Sequence, residues 1–280
     1  MNFPASGATE NLTTSAEWRS LFSAFSHIIL VANSDAVNIK ELQAEYPDTA
    51  LFVFFNKVYK VLAEPFQGQS LLVSRAQPKG ANIVYRREVA DVVKLFAPER
   101  FLGIMNIRLA ATEKLNTMED FLGTPTGHLD LTGFCADLYP STKIPTSGFA
   151  MSLWLVDLKL SAEIVLAGFS AKRSEKWRVV SVHDWTFEQV FLRLFARVGK
   201  LSMHGGIARN SYASLAARFP ELPPAEISST VAEVLSSRLS ETDAQVDKLI
   251  SLTNALRSID LFLRRLKPSF LRKSGAGLKG

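Results

Sequence analysis

Residues 27–35 read HIILVANSD and residues 50–56 read ALFVFFN. Each is an apolar run rich in β-branched and aromatic side chains that ends in small polar residues, the pattern of a strand buried on both faces and stopped by a turn. Comparable runs stand at Ser70–Ser74, Asn82–Tyr85, Phe101–Leu109, Glu163–Phe169 and Trp177–Val182. Helix-compatible stretches lie between them at Asn38–Glu45, Arg87–Phe96, Phe149–Leu160 and Trp185–Val198. Strands alternating with helices predict an α/β fold, a Rossmann-like open sheet flanked by helices. In such sheets ligands sit beyond the carboxyl ends of the strands, so the polar residues that stop each run are the first candidates for a site.

Beyond Gly205–Gly206 the texture changes to helix without strands, and Pro220, Pro223 and Pro224 mark a break. The expected division is residues 1–205 as the α/β domain and 206–280 as a C-terminal helical extension. Within the extension Leu249, Leu252, Leu256, Ile259, Leu263 and Leu266 alternate in steps of three and four, the spacing of a helix that buries one seam. That seam suits either docking on its own domain or a homodimer.

The 280 residues are 47% hydrophobic, enough for a sizeable core. The single cysteine, Cys135, excludes an intramolecular disulfide and points to a reducing cytoplasm. The first residues lack the basic start and apolar run of a signal peptide, and no stretch offers about 18 uninterrupted apolar residues, so neither export by that route nor a membrane span is expected. The net charge is +5, but six cations after Asp260, with no acid among them, leave the other 260 residues at −1. A nearly neutral body excludes a nucleic-acid-binding face of ordinary charge density.

Three polar constellations could carry chemistry. Asn33, with Ser34 and Asp35, follows the first apolar run, and Asn56 ends the next one. An amide at a strand end both donates and accepts, which suits a nucleotide's ribose, phosphate or base; it also serves simply to cap a turn. Pro145-Thr146-Ser147-Gly148 opens the apolar helix FAMSLWLVDLKL. Free N–H groups and the positive end of a helix dipole there suit a phosphate, while Thr146 or Ser147 also reads as an ordinary N-cap. Finally, His183 follows the run WRVVSV and Glu188 lies five residues on. Histidine is the natural base near neutral pH, and a histidine at a strand end also has structural uses. His27, His128, His204, Asp130 and Asp137 are further polar residues available to an acceptor site.

Taken in order, these stretches resemble the motifs of the sialyltransferase family, including its smaller bacterial relatives. Ala32-Asn33-Ser34 and Asn56 match the turn and the terminal Asn of the family's large motif. Pro145-Thr146-Ser147-Gly148 through Glu163 to Gly168-Phe169 matches its small motif, the most specific of the three. His183 and Glu188 match the H-x-x-x-x-E of its very small motif. Ala32 stands where the family has Gly, Ile29 and Ser161 lie near the places of the cysteines found in animal members, and Trp177 is the nearest counterpart to an aromatic-and-histidine motif.

The resemblance implies a GT-A-like sialyltransferase variant of the Rossmann-like fold and an inverting, metal-independent transfer that needs no cofactor. A sugar acid, sialic acid or Kdo, passes from a CMP-activated donor to a glycan hydroxyl in bacterial capsule or lipopolysaccharide synthesis. By the same resemblance Asn33, Ser34, Asn56, Thr146, Ser147, Gly148, Gly168 and Phe169 hold the CMP donor, His183 is the catalytic base and Glu188 supports it. The implied partners are the CMP-sugar and a glycan or lipid-linked glycan acceptor, with no nucleic acid. The basic tail, with Phe262, Leu263, Phe270 and Leu271 beside its cations, suits peripheral contact with the inner face of the cytoplasmic membrane or a solvated helix packed by its leucines. The alternatives are a glycosyltransferase using another nucleotide-sugar donor and a non-catalytic nucleotide-binding or scaffold protein.

Overall fold

The computed structural model describes residues 4–76, 82–170, 182–205, 221, 223, 225–226, 228–237 and 239–240. The chain divides into two units, Met1–Ile207 and Ala208–Gly280. In the second, residues 228–237 are helical, with Val234, Leu235 and Leu239 exposed. The seam from Leu249 to Leu266, the basic tail and Trp177 lie outside the described residues, as does all but Val182 of the strand expected at Trp177–Val182. Among the described residues no helix is long and apolar enough to cross a membrane.

The first unit is built on β1 (His27–Val31), β2 (Ala50–Phe55), β3 (Ser70–Arg75), β4 (Phe101–Arg108), β5 (Thr126–Asp130), β6 (Glu163–Ala167) and β7 (Ser202–Met203). They form one parallel sheet in the order β5-β4-β3-β2-β1-β6-β7, so the expected Rossmann-like α/β architecture is what the chain adopts. In register, Val31 faces Phe54 of β2 on one side and Ala167 of β6 on the other. Alternate residues of the central strands feed two cores. Ile28, Leu30, Leu51 and Val53 pack on one face with Trp18, Phe22, Phe149 and Trp154, while Ile29, Val31, Phe52 and Phe54 pack on the other with Leu42, Phe66 and Val92. The face of Trp18 and Phe149 is covered by α1 (Ser15–Phe22), α4 (Thr132–Ala136), α5 (Ser147–Asp157) and α6 (Trp185–Arg197), the opposite face by α2 (Ile39–Glu45) and α3 (Val89–Val93). Because both faces are covered, every inward residue of β1 contributes about 2 kcal/mol of apolar burial, and a continuous apolar run is the sequence that results.

The chain runs outward from β1 through β2, β3, β4 and β5 and then returns across α5 to place β6 on the other side of β1. That reversal makes the carboxyl ends of β1 and β6 the topological switch point, the place where open α/β sheets have their ligand crevice. Residues 32–35 and 168–170 therefore face each other across the switch point.

Several elements differ from expectation, α4 and β7 among them. Asn82–Tyr85 is a run of turns, because Asn82 Oδ1 accepts from Tyr85 N at 2.8 Å and its Nδ2 donates to Arg75 O at 2.6 Å, so a local side chain takes the bonds a strand would need. β5 carries only one large apolar residue, Leu129, and is recruited as a strand by pairing with β4 and by His128 N donating to Leu12 O. α1 opens on a capping box in which the Thr14 hydroxyl accepts from Glu17 N and the Glu17 carboxylate accepts from Thr14 N.

β4 holds a bulge: Ser70 pairs with Phe101 but Leu72 pairs with Ile104. The extra residue lets Leu102 and Met105 share one core while Ile104 joins the other. Gly103 makes it feasible, at φ +119° and with a hypothetical Cβ 2.1 Å from Thr9 Oγ1 and 2.4 Å from Pro125 O. Gly103→Ala is expected to lower the unfolding free energy by about 3 kcal/mol, through strain and overlap with backbone. Urea denaturation checks this, and a loss under about 1 kcal/mol would show that the bulge tolerates a side chain.

Candidate active site at the switch point

Asn33 leaves β1 with its Nδ2 donating to Phe55 O at 2.7 Å, which aligns the ends of β1 and β2. Its Oδ1 is buried and has no hydrogen-bond partner among the described residues. An amide oxygen left in that state costs about 1–3 kcal/mol, and a donor from a ligand in the crevice would relieve it. The Ser34 hydroxyl accepts from Ala36 N at 3.3 Å and so shapes the turn. Asn56, at φ +35°, is almost wholly buried; its Oδ1 accepts from Arg75 N at 3.0 Å and stitches β2 to β3. Asparagine reaches this left-handed region at lower cost than most residues.

Across the switch point, Gly168 at φ +79° brings the end of β6 against the β1 turn, and a Cβ there would lie 2.5 Å from Val37 Cγ2 and 3.0 Å from Ser34 Cβ. Phe169 follows, its ring 6.3 Å from that of Phe55 and its carbonyl accepting from Gln189 Nε2 at 3.2 Å. Gly148 meets the same ring: its missing Cβ would lie 2.7 Å from Phe169 Cε1. The glycine of the Pro145–Gly148 turn thus seats the start of α5 on the crevice wall.

Thr146 is the N-cap of α5. Its hydroxyl accepts from Phe149 N at 3.1 Å and donates to Glu188 Oε2 at 2.7 Å, so it has no hydrogen left for a ligand. The capping reading of Thr146 is therefore realised. Ser147 N and Gly148 N, by contrast, have no protein acceptor among the described residues and stand at the positive end of an 11-residue helix. Backbone donors at a helix start are of the kind that bind phosphate.

Glu188 also takes Thr146 N at 2.8 Å and Tyr139 Oη at 2.9 Å, while Tyr139 Oη accepts from Asp184 N at 2.8 Å. Glu188 is 3% exposed, and burial raises its pKa above the usual carboxylate value against the pull of its three donors. Burial likewise raises the Tyr139 phenol and pushes the Cys135 thiol up to about 11, which leaves both protonated at neutral pH.

His183 sits one residue before Asp184, the N-cap of α6. Its Nδ1 lies 2.6 Å from Ile144 O. A carbonyl only accepts, so Nδ1 carries the hydrogen and the neutral ring keeps its lone pair on Nε2. Burial lowers its pKa below 6.5, more than the Ile144 bond raises it, and the Arg75 charge lowers it further. The ring packs edge-on to Trp185, with centroids 5.5 Å apart.

Arg75, at the end of β3, escaped the sequence reading. Its Nε donates to Glu113 Oε1 at 2.8 Å and its Nη1 to Pro145 O at 2.9 Å. An isolated arginine ending an apolar run carries no signal of such a partner 70 residues away. Of the other polar candidates, His27 lies at the opposite, amino end of β1 beside Glu163, His204 pairs with Glu45, and Asp130 pairs with Arg108. His128 Nε2 is 2.7 Å from Asn116 O. Among the described residues no group of three or more His, Cys, Asp or Glu side chains is placed to hold a metal ion.

No protein-family profile and no curated protein matches the chain. Among solved structures it is similar to a crystal structure of a mammalian sialyltransferase in complex with Gal-beta-1-3GalNAc-ortho-nitrophenol, at 14% identity and a TM-score of 0.34, over 72% of this chain and 67% of that one. A likeness that shallow leaves the assignment of function to the geometry of the crevice.

Glu188→Gln keeps the size of the side chain but aims an NH2 group at donors. It is expected to cost about 2 kcal/mol, read as a lower midpoint in thermal or urea unfolding. A change within about 0.5 kcal/mol would show that the Thr146 clamp is dispensable.

Proposed function

We propose that the crevice between β1 and β6 binds a CMP-activated sugar acid and that the protein transfers the sugar to a glycan hydroxyl with inversion. The observation that carries this reading is the bond from His183 Nδ1 to Ile144 O, which leaves a neutral Nε2 base and ties the ring to a carbonyl two residues before Thr146, the cap of the helix whose free N–H groups suit a phosphate. Asn33 Oδ1 would accept from the nucleotide, and Ser147 N and Gly148 N would donate to its phosphate. Phe169 and Gly168 would wall the pocket. Asn56 acts through the backbone of Arg75, and Ser34 and Thr146 through the turns they cap.

In the reaction the acceptor oxygen attacks the anomeric carbon as Nε2 takes its proton, and the bond from that carbon to the phosphate oxygen breaks with both electrons going to CMP. The growing negative charge on the leaving phosphate meets the α5 dipole and two backbone donors, the kind of fixed stabilisation that serves a leaving group without a divalent ion. Glu188 does not reach the reacting atoms in this scheme; it holds the cap of α5. CMP-linked sialic acid and CMP-linked Kdo are both donors of the required class, and capsule or lipopolysaccharide assembly in the cytoplasm is the setting in which such donors are used.

Thermal melting with CMP, UDP, GDP and ADP, repeated in EDTA, tests the reading. Selective stabilisation by CMP that survives EDTA is expected, and stabilisation by another nucleotide alone would overturn the donor assignment. With CMP-sialic acid or CMP-Kdo and lactose as the hydroxyl probe, His183→Ala should cut CMP release by about 10²–10⁴-fold while keeping the CMP shift. Undiminished release would remove the histidine from the mechanism.

The rate should also depend on pH in one direction. Because the folded ring has a lowered pKa, it stays neutral to a pH below 6.5. The acid limb of kcat/KM should therefore have its midpoint below 6.5, and the stability due to the buried neutral ring should be complete above 6.5 and decline as pH falls through the lower folded value. A limb centred above 6.5 would contradict a desolvated base.

A further inference from the structure

We propose that Arg75 is a positioning residue for His183 and for the cap of α5, acting by its hold on the Pro145 carbonyl. Pro145 lies between the two residues that organise the site: Ile144 O receives His183 Nδ1, and Thr146 is clamped by Glu188. Ile144 N also donates to Val182 O at 3.0 Å, so the segment entering His183 hangs from the same residue. A shift of the Pro145 carbonyl therefore moves the base and the helix start together.

Arg75 is itself fixed on every side. Its backbone N donates to Asn56 Oδ1 at 3.0 Å and its carbonyl accepts from Asn82 Nδ2 at 2.6 Å. Its guanidinium meets Glu113 Oε1 through Nε at 2.8 Å and Nη2 at 2.7 Å, and Glu113 Oε2 accepts from Leu109 N at 2.9 Å. Both side chains are almost wholly buried. A buried ion pair is an inefficient way to stabilise a fold, since apolar groups of like volume often do as well. A planar fork held by a carboxylate and reaching a carbonyl at a set angle supplies direction instead, which a lysine ammonium does not.

The test is the double variant Arg75→Met, Glu113→Gln, which strands neither charge. Melting confirms that it folds. Long-range ¹H–¹⁵N correlation, with the His183→Ala spectrum for assignment, reads the tautomer of His183. The expected result is loss of the dominant Nδ1–H tautomer, with CMP release from CMP-sialic acid or CMP-Kdo down about 10²-fold and CMP affinity changed less than about threefold. A His183 ring that keeps its Nδ1–H form, with release within threefold of the unaltered protein, would overturn the proposal and leave Arg75 a structural residue. If the double variant does not fold, Arg75→Lys repeats the tautomer measurement, and a retained Nδ1–H form overturns the proposal there too. The kinetic arm rests on the transferase reading, whereas the tautomer arm does not: an unaltered protein without CMP binding or release would defeat that reading while the spectra still decide the role of Arg75.

Discussion

Glu188 places a carboxylate where almost no water reaches it, and such a group is tolerated only if its lone pairs are met by donors. Thr146 supplies two, one from the backbone and one from the hydroxyl, and Tyr139 supplies the third. The result is a polar knot between the start of α5 and the first turn of α6. Since the Thr146 hydroxyl gives its hydrogen to Glu188, its lone pair is aimed at Phe149 N, and the cap of α5 is set by a residue 42 positions further along the chain. The rest of the crevice depends on this knot: it fixes where the α5 dipole points, and through Ile144 it fixes where His183 can find its carbonyl.

A second constraint is steric. Gly148 and Gly168 meet the crevice from opposite sides, one against the Phe169 ring and the other against the β1 turn. In each place a Cβ would push two elements apart at the point where the sheet changes direction. The backbone donors of Ser147 and Gly148 and the oxygen of Asn33 have no partner among the described residues. Polar groups left unpaired inside an otherwise satisfied network are what a binding site leaves open for its ligand.

Charge is handled by neutralisation more than by solvation. Arg75 and Glu113 cancel within the interior, Tyr139 and Cys135 stay protonated, and His183 stays neutral because burial disfavours its cation. Nε2 thus keeps a lone pair in a region of low dielectric, the property the proposed mechanism asks of a base.

The architecture was legible from the chain alone wherever local pattern and tertiary burial agree. HIILV and ALFVFF form central strands, because runs apolar on both faces need cover on both faces, and Asn33, Asn56 and Gly168 follow the ends of β1, β2 and β6. The same logic failed at Asn82–Tyr85, where a side chain captured the turn, and at Thr126–Asp130, where pairing outweighed weak propensity. It could not show that Thr146 spends its hydroxyl on a cap, that Asn56 stitches β2 to β3, or that Arg75 reaches Pro145. Those facts belong to tertiary structure, because a hydrogen bond depends on distances of about 3 Å and directions between groups far apart in the chain, and no periodicity within a segment encodes them.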